Sequence, residues 1–242
     1  MLTYFFTDFG ISGPYVGQMK SVIFAGSSDN TIIDLMHDAP KYNPRASAYL
    51  LSALMRYLPE EAIIVAVVDP GVGDPARKPV MIKSNKRWFI GPDNGLLCKV
   101  IDFSTSVTCY EIIPDTGISK SFHGRDVFAP VAKELSNGKM PDCILTNKEN
   151  LIGYDWPDNI EEIIYIDHYG NAITGVQAES LNKTSIIMIG EIELHYAATF
   201  SDVSEGEMFW YENSIGLIEF SKNYGSFSEE TGCAIGGAFK IT

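Results

Sequence analysis

The chain has 242 residues, 45% of them hydrophobic and 20% charged, which suits a folded protein with one large domain or two small ones and excludes disorder, collagen and coiled coil. Its 31 acidic against 18 basic residues give a formal net charge of −13. Such a surface repels phosphates and argues against nucleic acid as a partner. No stretch reaches the roughly 20 apolar residues of a membrane-spanning helix, so no membrane role is expected. The opening MLTYFFTDFG lacks the basic region of a signal peptide. The four cysteines, Cys98, Cys109, Cys143 and Cys233, form no CxxC pair and match no zinc spacing. Free thiols in the cytoplasm are the expectation.

In chain order, residues 2–7 form a short apolar strand ending at Asp8. Residues 14–25 read as a helix with Pro14 in its first turn, where a missing N–H is tolerated. A second strand covers 31–35, and a helix covers 44–58 with apolar residues at helical spacing. Residues 62–68 are an unbroken apolar run, the mark of a strand covered on both faces. Strands follow at 80–83, 88–90 and 107–112, with a short helix at 95–101 and a longer one at 126–135. This alternation predicts an α/β fold, a mainly parallel sheet flanked by helices, over residues 1–152. The stretch GYDWPDN, residues 153–159, reads as a linker. Beyond it, short strands at 163–166, 172–176, 185–189, 208–211, 217–220 and 234–241 predict a smaller all-β, barrel-like domain over 160–242.

In an open α/β sheet, ligands bind beyond the carboxyl ends of the strands. Four polar clusters fall at such places: TDFG with Asp8, VVDPGVG with Asp69, GPDNG with Asn94, and FHGRD with His123. Each alone reads as turn or cap chemistry, and Arg125 with Asp126 as an ion pair at a helix start. His37 fits a surface loop, and His168 and His195 fit structural or exposed positions. Four clusters at one sheet edge, however, point to an enzyme or a small-molecule binder. GxGxxG, GxxxxGK[ST] and GxSxG are all absent, which removes the dinucleotide, P-loop and nucleophile-elbow readings.

TDFG with YVGQMK, VVDPGVG, GPDNGLL, FHGRDVFAPVA and IDHYGN, in this order, resemble the S-adenosylmethionine (SAM) hydroxide adenosyltransferases, relatives of the fluorinases and chlorinases. The resemblance implies an N-terminal α/β domain, a C-terminal barrel-like domain, and a homotrimer with active sites at subunit interfaces. It implies hydrolysis of SAM to adenosine and methionine, with no cofactor. Asp69, Arg77 and His123 match the Asp, Arg and His of the hydroxide enzymes, and Asp69 and His123, where the fluorinases carry Tyr, set the chain apart from its halide-using relatives. Asp8 matches the carboxylate that holds the ribose hydroxyls. Asp167 and Ser214 match residues at the methionine end, and Tyr169 and Asn171 residues at the adenine. Asn94 is placed only in the neighbourhood of the site. Two departures stand out: Gly13 replaces an Asp common in relatives, and the loop from Asp69 to Arg77 is one residue longer.

Such an enzyme has one chemical problem. The sulfonium of SAM leaves readily as a neutral thioether, so neither a general acid nor a metal is required there. Water is the weak partner. It must be made hydroxide-like and aimed in line with the C–S bond. Arg77 and His123 are expected to hold it and Asp69 to orient them or take the proton. The rival readings are a halide-using relative, a non-catalytic SAM or adenosine binder, and a metal-dependent hydrolase.

Overall fold

The computed structural model describes residues 1–25, 30–102 and 104–242. The chain divides into two compact units, one of Met1–Leu51 with Tyr57–Trp156, the other of Ser52–Arg56 with Pro157–Thr242.

The first unit is built on β1 (Leu2–Thr7), β2 (Thr31–Met36), β3 (Ile63–Val67), β4 (Pro79–Ser84), β5 (Arg87–Pro92), β6 (Val107–Ile112) and β7 (Cys143–Thr146), in the order β2-β1-β3-β5-β4-β6-β7. The strands run parallel from β2 to β5 and antiparallel from β5 to β7. All five residues of β3 are buried, as a central strand with both faces covered requires. On one face, helices α1 (Tyr15–Phe24) and α3 (Ala129–Ser136) bury Met19, Ile23, Val131 and Leu135 against Phe5, Val65, Val67 and Ile90. The opposite-pointing Phe6, Ile64, Ala66 and Phe89 are equally buried. Helix α2 (Pro44–Leu54) ends in a 3₁₀ turn over Met55–Tyr57, so the helix expected to 58 tightens in its last turn.

The helix expected at 126–135 has a different start. Gly124–Phe128 form a wide π-helical turn that runs into α3. Pro130 has no N–H to give the carbonyl four residues back, and the Ala129 N–H reaches Gly124 O instead. Strand β7 was not expected; its four residues, CILT, are too short to show a period.

The second unit carries β8 (Ile160–Ile166), β9 (Ala172–Gln177), β10 (Ile187–Ile189), β11 (Ile192–Tyr196), β12 (Met208–Glu212), β13 (Leu217–Lys222), α4 (Phe227–Thr231) and β14 (Lys240–Ile241). The sheet order is β14-β10-β11-β12-β13-β9-β8. Trp210, Ile218, Phe220 and Phe227 fill its core. The strand expected at 234–241 is regular only over β14. Gly236 and Gly237, the first at φ +85°, break the ladder, yet they exchange hydrogen bonds with Ile163 of β8 at 2.8 and 2.9 Å. Phe239 N–H adds a bond to Glu161 O. The two outer strands are thereby joined and the sheet closes into a barrel. β11 and α4 were also not anticipated from the sequence.

Candidate active site

Thr7 of β1 lies opposite Val67 of β3, so Asp8 and Asp69 leave the sheet at one edge. β5 is parallel to β3 and delivers Asn94 to the same edge. Asp8 is half-buried, and its Oδ2 accepts the Tyr42 N–H at 3.2 Å. Burial pushes its carboxyl up, helped by the Asp69 charge, while the Tyr42 N–H and Lys41 oppose the shift.

The loop from Asp69 to Arg77 is a stack of turns. Asp74 N–H donates to Gly71 O and Arg77 N–H to Asp74 O. These turns fold the Arg77 guanidinium back over Gly71, where even a Cβ would come within 2.7 Å of Nη1. Arg77 Nη1 donates to Asp69 Oδ1 at 2.5 Å, and Gly71 N–H donates to the same oxygen at 3.3 Å. The Asp69 side chain is 5% exposed and that of Arg77 24%. Among the described residues nothing donates to Asp69 Oδ2, and Arg77 Nε and Nη2 have no acceptor. The pair is thus half-used: a buried charge is neutralised, and both partners keep hydrogen-bonding capacity.

His123 stands immediately before the π-helical turn. Its segment is tied to the other loops by packing. Gly73, at φ +91°, approaches the Lys120 carbonyl so closely that a Cβ would lie 2.5 Å from it. Phe122 stacks edge-on against Phe9 and Tyr15, with centroids 6.0 and 5.3 Å apart. His123 therefore shares the edge with Asp8, Asp69 and Arg77. Its ring makes no hydrogen bond to any described residue, so the three expected catalytic groups are a bonded pair plus a neighbouring imidazole.

Arg125 and Asp126 do form a fork-like pair, with Nε to Oδ1 at 2.6 Å and Nη2 to Oδ2 at 2.9 Å. Hydrogen bonds from Arg125 hold the Asp126 carboxyl below its ordinary value. Asn94 is 7% exposed and committed at both ends of its amide, donating to Val68 O at 2.8 Å and accepting the Leu96 N–H at 3.2 Å. It braces the strand end before Asp69. Gly13 is exposed, and a Cβ there would touch the Tyr15 ring at 3.3 Å.

In the second unit, Asp167 Oδ1 accepts the N–H groups of Tyr169 and Asn171 at 2.8 and 2.9 Å, and Oδ2 accepts Asn171 Nδ2 at 2.9 Å. Gly170, at φ +83°, is pressed on Ser226, which leaves no space for a side chain. The tight loop presents the Tyr169 ring at 75% exposure. Ser214 is exposed in the turn between β12 and β13. Asn213 shapes that turn by accepting the N–H groups of Ile215 and Leu217, both at 3.0 Å. Asn213 Nδ2 in turn donates to Glu219, which also accepts the Tyr211 hydroxyl at 2.5 Å.

Sequence reasoning missed this buried carboxyl, because a Glu in a strand reads as solvent-facing. It also misplaced His37, which is 5% exposed and bonded at both ring nitrogens. For Glu219 the signal was an apolar neighbourhood on either side, Leu217 and Ile218 before it and Phe220 after. Among the described residues no group of three or more His, Cys, Asp or Glu is arranged to hold a metal ion. No described helix is long and apolar enough to cross a membrane.

An α/β sheet with carboxylates, a guanidinium and an imidazole at its carboxyl edge, in a chain that also carries a closed β-sheet, defines an enzyme acting on a small molecule. The particular kind follows from its relatives. The chain belongs to the SAM hydroxide adenosyltransferase family, whose N-terminal domain matches residues 3–144 and whose C-terminal domain matches residues 161–240. A Thermus thermophilus protein named (R)-S-adenosyl-L-methionine hydrolase is 32% identical, covering 95% of this chain and 94% of its own. A Salinispora arenicola protein of the same name is 31% identical, covering 98% and 96%. The crystal structure of an uncharacterized conserved protein from Thermotoga maritima superposes with a TM-score of 0.84 at 27% identity, covering 100% of this chain and 99% of that one.

Proposed function

We propose that this protein hydrolyses SAM to adenosine and methionine by attack of water on ribose C5′. The observation that carries the reading is the Asp69–Arg77 pair, which keeps open donors and an open carboxylate oxygen at the edge shared with Asp8 and His123. The hydrolase relatives support the reaction.

In this mechanism Arg77 and His123 hold the water by charge-assisted and neutral hydrogen bonds, and Asp69 Oδ2 receives its proton. The new O–C5′ bond forms as the C5′–S bond breaks, and its electron pair goes to sulfur. Methionine leaves as an uncharged thioether, and one proton is released to solvent. Asp8 accepts from both ribose hydroxyls, a geometry one carboxylate can satisfy.

Tyr169 stacks on the adenine and Asn171 bonds its edge. Asp167 has three of its about four lone-pair sites filled; the remainder is directed to the methionine ammonium, and Ser214 to the carboxylate. Asn94 acts through the strand end it braces. The protein is a homotrimer whose sites draw on two subunits, as the resemblance implies. It acts in the cytoplasm, in keeping with four free thiols.

Incubation with SAM in ¹⁸O-labelled water, without metal or halide, tests the reading. Adenosine labelled at O5′ with equimolar methionine is the expected result. Unlabelled adenosine, or SAM bound and left intact, would overturn it.

A further inference from the structure

The proposed reaction makes no use of His37, a buried titratable side chain directly after β2. Its Nε2 lies 2.9 Å from Asp34 Oδ1, and its Nδ1 lies 2.8 Å from Thr7 Oγ1. Asp34 also accepts from Lys20 Nζ at 2.6 Å. Burial opposes ionisation of Asp34, but the hydrogen bonds from Lys20 and His37 prevail and hold its carboxyl below its ordinary value. A carboxylate only accepts, so Nε2 carries a hydrogen. Nδ1 is joined to the Thr7 hydroxyl, which can serve as donor or acceptor to it. The Thr7 oxygen, fully buried, in turn accepts the Phe9 N–H at 3.3 Å. One chain of hydrogen bonds therefore runs from Lys20 through Asp34, His37 and Thr7 to Phe9, the residue after Asp8.

The main chain grips the same loop. Gly10 N–H donates to His37 O at 2.7 Å, and Ala39 N–H donates to Thr7 O at 3.1 Å. Tyr42 N–H, from the same 37–42 stretch, reaches the Asp8 carboxylate itself. A histidine that only satisfied the core would need none of these contacts to converge on residues 7–10. A loop residue that must hold a carboxylate in one orientation needs a rigid frame behind it.

We propose that Thr7 and His37 are positioning residues that aim the Asp8 carboxylate at the ribose hydroxyls. The inference rests on the ribose role given to Asp8. Neither side chain touches substrate; both act through the backbone on either side of Asp8.

The test compares calorimetric affinities for adenosine and 2′,3′-dideoxyadenosine in the intact protein and in Thr7→Val, Thr7→Ser and Asp8→Asn. The ratio of the two affinities reports the hydroxyl contacts and is indifferent to general loosening. Asp8→Asn should lose most of the preference for adenosine. Thr7→Val should lose on the order of tenfold of it, the size of one hydrogen bond to a charged group, with dideoxyadenosine affinity unchanged. Thr7→Ser should restore it.

A Thr7→Val protein that keeps the preference while Asp8→Asn loses it overturns this inference and leaves the ribose role of Asp8 intact. An Asp8→Asn protein that keeps the preference overturns both. If Thr7→Val loses affinity for dideoxyadenosine too, His37→Phe, which fills the ring's space without its nitrogens, decides by the same ratio.

Discussion

At Arg77 one guanidinium nitrogen is spent on Asp69 and the others have no acceptor among the described residues, so removing the side chain deletes a preorganised donor and also strands a buried carboxylate. Arg77→Ala and His123→Ala should each lower kcat by on the order of 10²–10³, with SAM still bound, measured by steady-state turnover and calorimetry. Retained turnover in either would remove that residue from the mechanism. Gly71→Ala makes the complementary test. Its Cβ would lie within 2.7 Å of Arg77 Nη1, so it should displace the guanidinium and lower kcat without altering any charge. The pairing of Asp69 with Arg77 was legible in the motif, since both fall in one loop. That His123 makes no hydrogen bond to this pair was not, because it comes from a separate segment, just before the π-helical turn. His37 was misplaced for a related reason: a polar residue after a strand looks like a surface loop until the loop folds over it.

In β12 and β13 Glu219 is buried with Asn213, which shapes the turn that displays Ser214, and accepts from its half-buried cross-strand partner Tyr211. Burial pushes the Glu219 carboxyl up from its ordinary value, while hydrogen bonds from Tyr211 and Asn213 partly oppose the shift. A raised folded-state value means the folded protein holds this proton more tightly than the unfolded chain. The contribution of Glu219 to stability is therefore present below about pH 4.5 and declines as pH rises through the folded value. Glu219→Gln, which keeps the shape and can still bond both partners, should flatten that decline. Thermal melts of both proteins across a pH series measure it; parallel curves would show that the burial has no such cost. At this scale the long elements were legible. The apolar run of β3 and the helical spacing of α2 announced themselves. Short pieces were not: β7 has four residues and α4 five, too few for a period to declare itself. The π-helical turn was hidden as well, although Pro130 two residues beyond it carried the cause in plain view.

Across the molecule the four thiols divide by burial. Cys98 and Cys109 are buried, and desolvation pushes them to about 12 and about 11. Cys143 and Cys233 are partly exposed. Since the thiolate is the reacting form, a maleimide reagent on the native protein should label Cys143 and Cys233 first. Cys98 and Cys109 should react only on unfolding, as peptide mapping would read. Early labelling of Cys98 would contradict the packing of the first unit. The two-domain organisation and the barrel-like second domain were legible from the change in strand length and punctuation, while the seam at which the sheet closes was not, because it runs through glycines at 236 and 237 that break the strand pattern. That closure carries a kinetic consequence. A ring of strands has no free end from which to fray, so its amides cannot exchange with solvent progressively from one side. Opening must begin at the weakest seam, the irregular 236–239 stretch beside the two-residue β14. Deuterium uptake should then start at that seam and spread inward through β8 and β10 from either side of it, leaving β12, farthest round the ring, for last.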